Sequence, residues 1–111
     1  MSDNRFANTP QPPYYAVIFS SQRNGRGEAD YEAAAHAMFD LVQKQPGFLG
    51  AESTRDGEGF GITVAYFDSE ENIVRWRNHE AHAATRQRGR SEWYDHFEVR
   101  VAKVERAYGR R

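Results

Sequence analysis

The segment RWRNHEAHAATRQRGRSEWY, Arg75 to Tyr94, gathers the side chains best suited to chemistry: both tryptophans of the chain, two of its four histidines and five arginines. A metal site is one reading. His79 and His82 stand three apart around Glu80, whereas the zinc-hydrolase helix needs two histidines four apart, and no third ligand is in view. No metal is therefore expected, and the two histidines read as helix-surface or capping residues. A nucleic-acid grip is another. Arg75, Arg77, Arg86, Arg88 and Arg90 with Trp76 and Trp93 could mimic a basic aromatic surface. The net charge of −1 and the lack of a stacking motif on any strand argue for a solvated, arginine-rich helix face and no nucleic-acid partner. The third reading is proton chemistry. A neutral histidine can take a proton from a phenol, an arginine or tyrosine can steady the oxyanion, and aromatic walls suit a flat substrate.

The chain sets bounds on these readings. Its 111 residues make one domain, 14–111, behind a polar, proline-containing arm, 1–13, expected to be flexible or laid on a partner. There are no cysteines, which excludes disulfides, thiolate metal sites and a cysteine nucleophile. No dinucleotide fingerprint follows a strand, so no flavin or other cofactor is expected. No apolar run reaches spanning length and the first residues lack the basic start and apolar stretch of a signal peptide; the expectation is a cytoplasmic protein with no membrane partner. Charge is uneven. Met1–Val74 holds five Lys/Arg and eleven Asp/Glu, and Arg75–Arg111 holds ten and five. Such asymmetry favours an anionic ligand or a second copy docking basic half to acidic half.

Six elements must position these residues. YYAVIFSS, Tyr14–Ser21, predicts a strand. A helix follows from about Ala29 to Lys44, with Asp30 as N-cap and Tyr31, Ala34, Ala35, Met38, Leu41 and Val42 on one face. His36 falls on the far side with Asp40, as a surface histidine. Pro46-Gly47 stops the helix. Strands Phe48–Arg55 and Phe60–Phe67 flank the hairpin signal Asp56–Gly59. The second of these has no charge on either face, so both faces of the sheet are expected to be covered. Asp68 or Ser69 caps a second helix that turns Ile73 and Trp76 to one side. Asn78 can recap it after a bend near Arg77–Asn78, and Gly89 stops it. The last strand follows Trp93–Tyr94, with Phe97, Val99 and Val101 on one side and a bulge near Ala102–Lys103, where the apolar parity changes. This order is that of an α+β, ferredoxin-like βαββαβ fold: a four-stranded antiparallel sheet with helices on one face. The other face carries apolar residues, which a homodimer packed sheet against sheet would cover.

The motifs QPGFLGAES, YFDSEENIVRW and HEAHAATRQRGRSEWYDHFEVRVAKVERAYG resemble the antibiotic biosynthesis monooxygenase family of dimeric α/β-barrel proteins, over roughly Tyr14 to Tyr108. The resemblance implies a homodimer and oxidation of aromatic, polycyclic phenols by molecular oxygen, without metal or flavin. It implies a cavity between helices and sheet. Trp76, Trp93, Phe67 and Phe19 are its expected substrate-binding residues, His82 its base, and Arg90 or Tyr94 the oxyanion partner. His96, beside Phe97 on the strand, is a weaker candidate. A haem-degrading branch of the family uses an Asn–Trp–His triad. Here the first strand has no Asn, and Phe67 stands where that Trp would be. A non-catalytic dimer that binds a small hydrophobic molecule, and a haem binder working without the triad, stay open as alternatives.

Overall fold

The computed structural model describes residues 5–110; the first four residues of the expected arm and Arg111 lie outside it. The elements run β1 (Tyr14–Arg23), α1 (Glu28–Val42), β2 (Phe48–Arg55), β3 (Phe60–Phe67), α2 (Glu70–Arg77), α3 (Glu80–Arg88), a π-helical turn (Gly89–Trp93) and β4 (Tyr94–Val104). The strands form one sheet in the order β2-β3-β1-β4, antiparallel throughout. This is the expected ferredoxin-like α+β fold.

Period-two alternation and the register divide the sheet into two faces. On the inner face, Tyr15, Val17, Phe48 and Ala65 pack against the buried cluster of Val42, Phe67 and Ile73, and Trp76 joins it from α2. On the outer face, Ile18 pairs with Val64 and Ser20 with Ile62. Residues 5–13 lie across one end of that outer face on their own chain. The Ala7 amide donates to Glu52 at 3.1 Å, and the Thr9 and Tyr14 hydroxyls are 3.1 Å apart. Tyr14 and Ala16 are accordingly buried, while Phe60 and Ile62 at the other end are 47% and 38% exposed. Among the described residues, no helix is long and apolar enough to cross a membrane.

β2, β3 and the Asp56–Gly59 turn fall where the sequence places them, because the turn closes locally: Asp56 Oδ1 accepts from the amides of Glu58 and Phe60 at 2.9 and 3.0 Å. Ser69 caps α2 through the Asn72 amide. Other boundaries differ. β1 runs two residues further, to Arg23, and α1 begins at Glu28. Its N-cap is Gly27 in the left-handed conformation, and Asp30 sits inside the first turn. The positive φ of 60° is what favours glycine here, and Trp93 packs against it, a Cβ lying 3.4 Å from Trp93 Nε1. Ala35 is exposed, though the rest of the predicted α1 face points inward. The bend after Arg77 is present, but His79, not Asn78, caps α3, its Nδ1 accepting from the Ala81 amide. α3 ends at Arg88 with Gly89 as its C-cap, as expected, but the chain continues from Gly89 into a π turn, where a Cβ at Gly89 would meet the Tyr94 ring at 2.9 Å.

The bulge is also elsewhere. β1 pairs evenly with β4 through Ala102, Lys103 and Val104, and the register shifts between Gln22 and Arg23, opposite Tyr94 and His96, leaving Asp95 unpaired. Val104 breaks the apolar parity because it lies beside Tyr14 on the outer face, the end that the arm covers. The extra residue falls at Asp95 because Trp93, 3% exposed, is pinned by its carbonyl, which accepts from the Arg23 side chain and the Asn24 amide.

Candidate active site

Trp76 lies in the last turn of α2 and His82 in the first turn of α3, so the bend between the helices folds one ring onto the other. The rings are stacked, 4.2 Å between centroids and 10° from parallel. His82 Nδ1 lies 3.0 Å from the Trp76 carbonyl oxygen, which also accepts from the His79 amide. A carbonyl can only accept, so Nδ1 carries the proton and Nε2 keeps its lone pair. Among the described residues, Nε2 has no hydrogen-bond partner. Burial holds the His82 pKa below its ordinary 6.5; the Trp76 hydrogen bond opposes this, and Arg86 and His79 add to it. The ring is a half-buried, neutral imidazole with a defined tautomer.

His82 and Arg86 on α3 and Arg90 in the π turn stand at four-residue spacing, which lines them along one side. The Arg90 guanidinium lies 5.9 Å from the Phe97 ring centroid on the inner face of β4. Phe97 in turn packs on Phe19 at 5.7 Å, and Phe19 meets the Tyr94 ring edge-on at 5.4 Å. His82 and Arg90 are thus joined by one helical row, at whose far end stands an aromatic group of Phe19, Tyr94 and Phe97.

Tyr94 is engaged differently from His82. Its hydroxyl donates to the Tyr31 hydroxyl at 3.1 Å, which also accepts from Arg55 at 3.1 Å. Arg55 continues to Ser21 Oγ at 2.9 Å. Burial raises the Tyr94 pKa, and the hydrogen bond to Tyr31 raises it further. Trp93 packs edge-on against Tyr31 at 5.6 Å, under the Arg88 guanidinium. Arg23, buried, lies over the Tyr31 ring at 3.9 Å and pairs with Glu28. Phe67 is 0% exposed and packs edge-on against Phe48 in the core. The sequence reading did not single out Tyr31, Arg55 or Arg23, since their partners lie far away along the chain. It treated Arg86 as part of a solvated face; the 82/86/90 spacing was the available signal.

Two recesses mark the surface. One of about 250 Å³ lies between the start of α1 and the π turn, lined by Gly27, Asp30, Glu92 and Trp93. The other, about 390 Å³, lies on the outer sheet face beside Phe60, His96, Glu98 and Arg100. Neither is lined by His82 or Trp76. His96, an exposed residue of that face, pairs with Glu98 at 2.8 Å, and His36 pairs with Asp40 at 3.4 Å on the exposed side of α1.

The family described as "Antibiotic biosynthesis monooxygenase" matches residues 13–88. YqjZ of Bacillus subtilis (strain 168), itself described as uncharacterized, is 51% identical over 100 residues, covering 90% of this chain and 87% of its own. Among solved structures, the chain is similar to SnoaB from Streptomyces nogalater, described as a cofactor-independent oxygenase. The TM-score is 0.73 at 12% identity, covering 86% of this chain and 97% of that one. Protein SO0527 from Shewanella oneidensis gives a TM-score of 0.74 at 12% identity, over 92% and 100% of the two chains. At such identities these two likenesses are of fold.

Proposed function

The chain belongs to the antibiotic biosynthesis monooxygenase family, and from that membership we propose that it oxidises an electron-rich aromatic molecule with dioxygen, using His82 as base. The observation that carries this reading is the Nδ1 contact of His82 to the Trp76 carbonyl, which leaves Nε2 able to accept a proton. Depression of the His82 pKa keeps the base unprotonated near neutral pH.

The chemistry asks little of the protein. Nε2 takes a proton from the methylene carbon of a phenol's keto tautomer, breaking one C–H bond, and Arg90 steadies the phenolate that results. The anion passes an electron to dioxygen, and the radical pair combines into a peroxide at the methylene carbon. Loss of water leaves a carbonyl there, so one oxygen atom ends in the product and the other in water. The substrate supplies all four electrons, in line with the description of SnoaB as cofactor-independent. Trp76 and the Phe19–Tyr94–Phe97 group offer flat surfaces for the rings, with Trp93 and the fully buried Phe67 backing them. In this reading Tyr94 is a positioning residue, its hydroxyl committed to Tyr31.

The same reading includes a homodimer. The part of the outer sheet face that residues 5–13 leave open carries half-exposed Phe60 and Ile62, and a second sheet would cover them. Oxygen uptake with a panel of polycyclic phenols tests the function. Uptake is expected from the wild-type chain and not from His82→Ala; equal uptake by both would remove His82 from the mechanism.

A further inference from the structure

His82, Arg86 and Arg90 line one side of α3 and the π turn, and Arg77 stands behind them at the end of α2. Arg86 donates to the Arg77 carbonyl at 3.2 Å, and its Nε is buried without an acceptor. Among the described residues, no carboxylate lies within ion-pair distance of Arg77, Arg86 or Arg90. The nearby acids serve the other side of the helix instead: Arg88 pairs with Glu92 at 3.1 Å and reaches Asp30 at 3.8 Å. A solvated arginine face normally shares its counter-charges along the surface. Here one side of the helix is neutralised and the side bearing the proposed base is not.

This arrangement carries an unmet demand for negative charge. Burial lowers the Arg86 pKa, and the nearby Arg77 and Arg90 charges lower it further. A buried N–H with no acceptor costs free energy that a bound oxygen would recover. Guanidinium forks match a carboxylate in shape as well as charge. The row also leads to apolar surface: Arg90 stands over Phe97, and Val99 and Val101 on the same face of β4 are 52% and 51% exposed.

We infer that Arg86, with Arg77, forms an anion subsite beside His82, and that the aromatic molecule this site takes carries a carboxylate. This rests on the aromatic-substrate reading above and narrows it. Arg86 binds the carboxylate, Arg90 remains near the reacting oxygen, and the ring body lies on Trp76 and the apolar strip of β4.

Calorimetric titration of the full chain with 1-hydroxy-2-naphthoate and with 1-naphthol separates the two ideas. The carboxylate is expected to bind at least ~10-fold tighter, and more weakly as salt is raised. Arg86→Gln should weaken its binding on the order of 10- to 100-fold and leave 1-naphthol unchanged. Arg77→Gln, at an exposed position, should show the same selective loss if Arg86→Gln folds poorly. Arg75→Gln, exposed on α2, should behave as wild type. Equal affinity for the two probes, or a loss in Arg86→Gln that affects both alike, overturns the subsite and leaves the aromatic-site reading standing. Unchanged binding together with a change of mass by light scattering would instead assign the arginines to contact between copies, and also overturns it. Binding of neither probe removes the aromatic site itself, and this inference with it.

Discussion

The His82 imidazole lies flat on the Trp76 indole at 4.2 Å, and its Nδ1 reaches the backbone carbonyl of that same tryptophan. One residue thus fixes both the plane and the tautomer of the other. His82→Ala is expected to lower turnover by ~10²–10⁴-fold with the fold intact. Steady-state oxygen uptake and circular dichroism together check this; a variant that folds and turns over normally would refute it.

Acid should act on activity and stability through the same ring. An unfolded histidine titrates near its ordinary 6.5, and His82 titrates below that in the fold. Between the two values the unfolded chain binds more protons, so stability rises with pH there and is lost as pH falls below 6.5. Activity should be flat just above neutrality, with its acid limb below 6.5. Urea melts across pH 5–7.5, roughly the range in which a histidine titrates, should show a weaker acid loss in His82→Gln. An identical pH dependence in that variant would contradict the assignment.

Light scattering should find a homodimer at micromolar concentration, with an interface on the order of 2,000 Å². Ile62→Glu places a charge on the open outer face and should yield a monomer. A monomeric wild-type chain would remove the dimer from the proposal.

Arg23 is buried among the Tyr31 ring, the Trp93 carbonyl and Glu28. Arg23→Met keeps much of the volume but leaves that carbonyl without its side-chain donor. Chemical denaturation is expected to show a loss of about 2–3 kcal/mol. A loss under ~0.5 kcal/mol would mean that water substitutes fully for the guanidinium.

What was legible in the sequence follows from how local its causes are. β2, β3 and their hairpin could be placed to the residue because Pro46-Gly47 and Asp56–Gly59 close turns within a few residues. The cap of α1 could not, since it rests on a left-handed Gly27 that packs against Trp93, far along the chain. The π turn and the bulge at Asp95 have the same origin, in Trp93 held by Arg23 and Asn24. In the candidate site, His82 and Trp76 could be named from their motif. The Tyr94–Tyr31–Arg55–Ser21 chain could not, because it joins three strands and a helix. Arg86 was visible only as one arginine among five, until the carboxylates around it proved to be engaged elsewhere.

Chain length is constrained very unevenly between Gly89 and His96. Losing one residue from the π turn would draw the strand beyond it back by one position. The strand would then enter with His96, Glu98 and Arg100 facing the helices, and Phe97, Val99 and Val101 facing away. Losing Asp95 should do almost nothing of the kind. Tyr94 already pairs with Arg23 and His96 with Gln22, the spacing that an unbulged ladder would have if the two residues were adjacent. Asp95 is a spare link, whereas each residue from Gly89 to Trp93 is a counted one. Grafts between relatives should therefore carry the turn whole and trim the strand only at Asp95.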